Sequence, residues 1–400
     1  MAVWKISEDV FYVGVNDTTL DLFESQYRIP DGVTYNSYVI KDSKIAVMDT
    51  VDNRATDAWF DNLEEALGGK APDYLVVSHL EPDHAGNIRK FLVKYPETVV
   101  VANAKTVAML PQFFELDTEE LSILEVKEGD TLKLGRHTLH FVMAPMVHWP
   151  EAMVTYDDVD KVLFSADGFG SFGALNGNVF ADEVDFDRDW LDDARRYYTN
   201  IVGKYGASVQ TLLKKAAGLE IAVICPLHGP IWRENLSYIL EKYQKWSTYE
   251  AEDQAVVIMY ASMYGNTASA ADALAGALAV RGVKKIAVYD VSNAHVSELI
   301  SEIFRASHLV FAAPTYNAGI YPVMENLLSD MKALAVQKKT VAVMENGTWA
   351  PTAAKQVKEK ISEMKDMTIL DTGLTIKSAM HADQKAELDA LADAIVNSMV

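Results

Sequence analysis

Within His79-Leu80-Glu81-Pro82-Asp83-His84, four side chains able to bind a metal occupy six consecutive positions. Imidazole nitrogens and carboxylate oxygens are the donors that iron, zinc and their neighbours accept when thiolates are absent. An extended or turning backbone here sends His79, Glu81 and Asp83 in alternate directions, enough to serve one metal or two adjacent ones. The cluster follows Tyr74-Leu75-Val76-Val77, an apolar run bounded by Pro72 that reads as a buried strand. Three further candidates also lie just beyond strand-like runs. His148 follows Phe141-Val142-Met143, Asp167 follows Val162-Leu163-Phe164, and His228 follows Ile221-Ala222-Val223-Ile224. Four histidines and three carboxylates at strand ends can converge on one point, which predicts a two-metal site. His137, His140, His295, His308 and His381 lack acidic neighbours in the chain and read as structural.

A second chemistry follows in the same chain. Ser262-Met263-Tyr264-Gly265-Asn266-Thr267 comes directly after the strand-like run Val256–Tyr260. Its hydroxyl and amide groups, a glycine for a tight turn and a helix starting near Ala268 suit a bound phosphate. No lysine follows the glycine, so the loop is not one that handles a transferable γ-phosphate. Two more strand-end loops are Pro314-Thr315-Tyr316-Asn317-Ala318-Gly319 and Glu345-Asn346-Gly347-Thr348-Trp349-Ala350. Their polar groups, with Tyr316 and Trp349 for stacking, could hold an isoalloxazine ring. One phosphate nest and no Gly-x-Gly-x-x-Gly loop for a pyrophosphate predict FMN rather than FAD. A metal pair beside a flavin implies electrons delivered to a small acceptor.

Composition narrows the partners. The net charge of −21 argues against nucleic acid and anionic membranes, which need a basic counter-surface. No apolar stretch approaches the roughly 20 residues that span a bilayer. The start, Met1 to Asp9, lacks the layout of a secretory signal, so a cytoplasmic protein is expected. Cys225 is the single cysteine and reads as a small buried hydrophobe. An iron–sulfur or thiolate-iron centre needs about four cysteines, so electrons must come from another molecule.

The elements that must position these groups fall into two domains, as 400 residues predict. The hairpin of Tyr38-Val39-Ile40 and Ile45-Ala46-Val47-Met48 turns on Lys41-Asp42-Ser43-Lys44. A helix with Trp59, Leu63 and Leu67 on one face closes at Gly68-Gly69. Strands and helices then alternate to about residue 250, suggesting a two-sheet sandwich with helices outside. An amphipathic helix over Leu236–Trp246 precedes a polar linker at 247–254, which predicts domains at 1–250 and 254–400. In the second, strand-like runs at Val256–Tyr260, Lys285–Tyr289, Leu309–Ala313, Thr340–Met344 and Met367–Leu370 alternate with helices. That is the pattern of a doubly wound parallel sheet, with its ligand beyond the strands' C-terminal ends.

His79-x-Glu81-x-Asp83-His84 with His148, Asp167 and His228 resembles the diiron pattern of the flavodiiron proteins. The resemblance runs over essentially the whole chain, including Thr34-Tyr35-Asn36-Ser37-Tyr38, His148-Trp149-Pro150 and His228-Gly229-Pro230-Ile231-Trp232. It implies an α/β protein: a metallo-β-lactamase-like αββα sandwich joined to a flavodoxin-like doubly wound parallel sheet. It also implies two non-heme irons per chain, one on His79, Glu81 and His148, the other on Asp83, His84 and His228, bridged by Asp167. In some members the counterpart of His84 turns away from its iron. Hydrolases of this fold usually carry a histidine where Glu81 stands; the added carboxylate favours iron over zinc.

The implied activity is reduction of dioxygen to water, of nitric oxide to nitrous oxide, or both, and the shared ligand set does not choose between them. The implied donor is external, rubredoxin or a reduced deazaflavin. The implied assembly is a head-to-tail homodimer or a dimer of such dimers, each flavin facing the partner's irons. Tyr197 and Tyr198, beside Arg195-Arg196, are candidates for a pocket hydroxyl and equally for ordinary helix-face aromatics. A metallo-β-lactamase-type hydrolase with a fused flavodoxin-like domain is the alternative; Glu81 and the flavin loops count against it. A plain flavodoxin-like electron carrier would leave the seven ligands idle.

Overall fold

Alternating apolar residues in the first half build two facing sheets. The computed structural model describes residues 3–115 and 121–399. The chain forms two compact units: Met1–Tyr198 with Ala207–Glu241, and Thr199–Gly206 with Lys242–Val400.

In the first unit one sheet runs in the order Trp4–Lys5, Val10–Tyr12, Tyr38–Lys41, Ile45–Met48, Tyr74–Val76, Val99–Asn103, Ile123–Val126. It is antiparallel up to Ile45–Met48 and parallel from there on. The other runs Thr131–Lys133, Thr138–Met143, Met153–Asp157, Val162–Phe164, Val223–Cys225. Tyr38, Ile40, Met48 and Val76 of the first sheet share one buried cluster with Phe141, Met153, Val162 and Phe164 of the second. The intervening residues Val39, Val47 and Leu75 are equally buried but lie outside that cluster. Period two thus gives the first sheet a second buried face, which helices such as Thr56–Leu67 cover with Trp59 and Leu63. That helix ends where expected, at Gly68 in the left-handed region with φ 59°.

The expected alternation of strand and helix fails between Ile123 and Phe164, where five strands follow one another with no helix. Tight turns replace helices there, with Gly129 and Gly135 at positive φ.

The second unit is a parallel sheet ordered Ile286–Asp290, Asp253–Tyr260, Ala306–Tyr316, Thr340–Asn346, with a broken fifth strand at its edge. Its two faces are read directly from neighbouring residues. Val257, Met259 and Phe311 enter one core, and Val256, Ile258 and Val310 enter the other. Burial on both faces is why these runs are continuously apolar. The fifth strand, expected over Met367–Leu370, is split into Thr368–Ile369 and Leu374–Ile376. Polar Asp371-Thr372-Gly373 breaks it, and the second piece pairs with the end of Thr340–Asn346.

The polar stretch at 247–254 is mostly built into structure. The preceding helix extends over Leu236–Thr248 and the next strand starts at Asp253. Between them Glu252 accepts hydrogen bonds from Trp246 Nε1 at 2.6 Å and Lys242 Nζ at 2.8 Å. No helix among the described residues is long and apolar enough to cross a membrane.

Candidate functional site

Two residues beyond the strand Tyr74–Val76, the backbone N–H of Ser78 donates to Asp49 Oδ1 at 2.7 Å and fixes the chain's exit. Pro82 then starts a single helical turn, Pro82–Ala85, where a missing N–H is tolerated. The cluster is therefore non-helical at His79 to Glu81 and helical at Asp83 and His84, so the alternation expected of an extended segment does not run through all of it. Across the sandwich, Asn36 Nδ2 donates to the carbonyls of Pro226 and Gly229 at 2.9 Å each, and Gly229 N donates to Thr34 Oγ1 at 2.6 Å. Gly229 sits at φ 73°, and a Cβ there would meet Ser171 Cβ at 2.9 Å. These contacts hold the loop that presents His228.

All seven predicted side chains converge, and they do so as two groups. His79, Glu81, His148 and Asp167 can bring one donor atom each within 4.8 Å of one another, and so can Asp83, His84 and His228. In the first group Glu81 Oε2 lies 3.2 Å from His79 Nε2 and 2.9 Å from His148 Nε2. In the second, Asp83 Oδ2 lies 3.1 Å from His228 Nε2 and 3.4 Å from His84 Nε2. Asp167 divides itself between them: Oδ2 is 3.3 Å from His79 Nε2, and Oδ1 is 3.2 Å from His84 Nε2.

The groups behind the ligands set which nitrogen faces inward. Glu151 Oε1 is 2.8 Å from His79 Nδ1, and the Thr34 carbonyl is 2.5 Å from His228 Nδ1. With Nδ1–H donating outward, each Nε2 presents its lone pair to the centre. Burial alone would lift the Asp167 carboxyl, but the imidazoles of His84, His148 and His79 outweigh it and hold it well below the usual range. Burial likewise opposes charge on His84 and His148, yet the carboxylates around them raise both to about 9. The centre is a place where buried negative charge calls for positive charge. Asp83, His84, Asp167 and His228 Nε2 all contribute buried polar atoms without a hydrogen-bond partner among the described residues. Hard oxygens, inward nitrogens and unsatisfied buried atoms in two groups around a shared carboxylate fit a pair of divalent or trivalent ions.

Tyr197 ends the helix Leu191–Tyr197 with its ring 5.4 Å from that of His228. Burial, then the charges of Asp167, Asp83 and Glu81, push its phenol well above the ordinary value, so it remains a donor. Tyr198 is also fully buried and opens the π turn Tyr198–Val202.

Two residues at the centre escaped the sequence reading. Glu151 lies three positions beyond a candidate ligand, a spacing that offered some signal. Glu24, at the left-handed tip of the hairpin Leu22–Phe23/Tyr27–Arg28, offered none. It is exposed, and its carboxyl lies close enough to the negative charge of Glu81 to be raised above its ordinary value. Two histidines do have acidic partners, from strand ends and turns elsewhere in the chain. His137 Nδ1 is 2.9 Å from Asp157 and its Nε2 is 3.1 Å from Asp9, while His140 Nε2 is 3.2 Å from Asp158.

The phosphate loop and its two companions enclose a cavity of about 450 Å³ in the second unit. Gly265, at φ 88°, caps the helix Asn266–Val280, whose first turn offers Asn266 and Thr267 to the cavity. Ser262, Met263, Tyr264, Asn346, Gly347, Thr348, Trp349 and the run Pro314–Ala318 line the rest. Three expected positions do not line it. Gly265 serves through its turn, and Gly319 pairs back on Tyr316. Glu345 turns away because its carboxylate accepts from Ala354 N and Thr375 Oγ1, each at 2.9 Å. Ala350 and Ser378 line it instead. Ser378 follows the displaced strand Leu374–Ile376, and Asn346 clamps it through Nδ2 to its carbonyl and Oδ1 to its N–H at 2.9 and 3.0 Å. Among the described residues no charged side chain lines the cavity, so a phosphate would rest on backbone and neutral donors at a helix N-terminus.

Comparison with known proteins adds to this geometry. The model of the ODP family of beta-lactamases matches residues 33–229, and that of flavodoxin matches residues 258–392. An uncharacterized protein of Methanocaldococcus jannaschii is 31% identical over 379 residues, 95% of this chain and 94% of that one. An anaerobic nitric oxide reductase flavorubredoxin of Vibrio vulnificus is 29% identical over 386 residues, covering 95% of this chain and 76% of its own. Among solved structures, the flavodiiron protein of Giardia intestinalis superposes with a TM-score of 0.93 at 25% identity over 100% of this chain and 98% of its own. The rubredoxin oxygen:oxidoreductase of Desulfovibrio gigas gives 0.92 at 28% identity, with the same coverage.

Proposed function

Since the chain belongs to the flavodiiron protein family, an oxidoreductase family with a non-heme diiron site and FMN, we propose that it reduces dioxygen to water, nitric oxide to nitrous oxide, or both, with electrons passed through the flavin from an external donor. The observation that carries this reading is Asp167, whose two oxygens serve two separate ligand groups 3.2 to 3.3 Å away. A two-metal hydrolase could use the same division, but it needs neither the carboxylate of Glu81 nor the cavity of the second unit. When bound, a reduced iron pair supplies two electrons and open positions for a diatomic molecule, and reduced FMN supplies two more.

In this reading His79, Glu81 and His148 hold one iron, and Asp83, His84 and His228 the other. Glu151 and the Thr34 carbonyl keep His79 and His228 aimed inward. Phe23 and Phe172 pack against each other at 5.5 Å, and Phe23 packs on His228 at 5.4 Å, so the His228 side of the centre is kept dry. Tyr197 offers a proton donor at the edge of the centre. Residues 1–250 are assigned to metal binding and 254–400 to FMN binding, although 199–206 and 242–250 cluster with the second compact unit. Met263, Tyr264 and Trp349 stand exposed at the rim of the flavin cavity, Tyr264 and Trp349 each at 90%. Exposed apolar rims mark contact surfaces, which supports a head-to-tail homodimer. Rubredoxin as donor is supported by the names of the relatives from Vibrio vulnificus and Desulfovibrio gigas.

Oxygen uptake and anaerobic nitric oxide consumption, measured with one reduced protein donor, test the proposal. Turnover of at least one gas is expected, and the ratio assigns the preference. Hydrolysis of an ester or amide with neither gas consumed would transfer the assignment to the hydrolase alternative.

A further inference from the structure

We propose that the two metal positions hold their ions with unequal strength, and that Glu151 sets the difference by making the His79 position the slower to release its metal. The inference rests on the ligand assignment above and goes beyond it. The inner ligands cannot produce an inequality by type, because each position has two imidazoles, one carboxylate of its own and one oxygen of Asp167. The groups behind the imidazoles differ. His79 Nδ1 is 2.8 Å from a fully buried carboxylate, Glu151, which also accepts from Leu80 N at 3.0 Å. Asn103 Nδ2 anchors the Glu151 backbone carbonyl at 2.6 Å, so this support is itself held. His228 Nδ1 meets a neutral carbonyl, which aims the ring without adding negative charge. His84 Nδ1 is buried and has no hydrogen-bond partner among the described residues, so no group there aims the ring from behind or adds negative charge to it.

A carboxylate behind a ligating imidazole orients the ring and raises its basicity, and losing such a partner costs roughly 10- to 100-fold in metal affinity. His79 has that support. The Asp83, His84 and His228 position has a neutral partner on one imidazole and none on the other. Its metal leaves first.

The test follows iron release from the full-length protein, under anaerobic conditions, into excess chelator. Two phases of equal amplitude are expected. Glu151→Gln keeps an acceptor oxygen but removes the charge; it should speed the slow phase by roughly 10- to 100-fold and leave the fast phase unchanged. It should also raise the midpoint potential of one iron only, a change that a general loosening would not single out. Should Glu151→Gln fail to fold, His84→Ala decides, since it should speed only the fast phase. A single release phase from protein holding two irons overturns this inference alone, as does acceleration of the opposite phase by either variant. Protein that never holds two metals overturns the ligand assignment itself.

Discussion

Asp167 is the residue on which the two groups depend together. Its oxygens face His79 and His84 at 3.3 and 3.2 Å, one toward each group. Asp167→Asn keeps the shape and removes the charge, so each ion loses a hard anionic donor at once. Metal analysis of the purified variant should find well under one iron per chain with the flavin retained; two irons would contradict the bridging role. At this scale the sequence was most legible where ligands are chemically conspicuous. His79, Glu81, Asp83 and His84 announce themselves because charge and imidazole crowd six positions after an apolar run. Glu151 and Glu24 do not, since what makes them relevant is a contact with a residue 72 positions away in one case and a hairpin tip in the other. Glu345 shows the converse. It stands in a strand-end loop of the right type, yet the Ala354 N–H of the next helix and the Thr375 hydroxyl claim its carboxylate.

Elements were legible where one period dominates. The parallel strands of the second unit are buried on both faces and could be read as continuous apolar runs, whereas the fifth strand fails because a short polar turn divides it. The turns of the first unit hid a contact that only the assembled sandwich creates. His137 is fully buried between Asp157, the last residue of the strand Met153–Asp157, and Asp9, from the turn of another sheet, with Asp42, Asp160 and Arg136 beside it. Burial opposes its charge, but Asp9 and Asp157 outweigh that and raise it above the ordinary value of 6.5. A raised histidine stabilises the fold fully below its unfolded value, and that contribution is lost as pH rises through the folded one. Denaturant unfolding of the wild type should therefore show lower stability at pH ~9 than at pH ~6 through this contact. His137→Gln should lose on the order of 3 kcal/mol at the lower pH, where a buried carboxylate is left uncompensated, and less at the higher. An equal loss at both values would show that the pair is held by neutral hydrogen bonds instead.

For the molecule as a whole, the central claim is that flavin electrons and metal electrons are spent together on one small molecule. Free reduced flavin gives oxygen two electrons and releases hydrogen peroxide, while four electrons delivered at one centre yield water. The distinction was foreseeable from the pairing of a ligand cluster with a phosphate-and-aromatic pocket, and it is measurable. The direct test is rapid mixing of fully reduced protein with oxygen and, in parallel, with nitric oxide, comparing intact protein with protein stripped by a chelator. The account predicts that with at least one gas the intact protein reoxidises flavin and metal together and releases no peroxide. The stripped protein should then lose nitric oxide consumption and return peroxide from oxygen in proportion to its flavin. Identical rates and equal peroxide from both forms would contradict it.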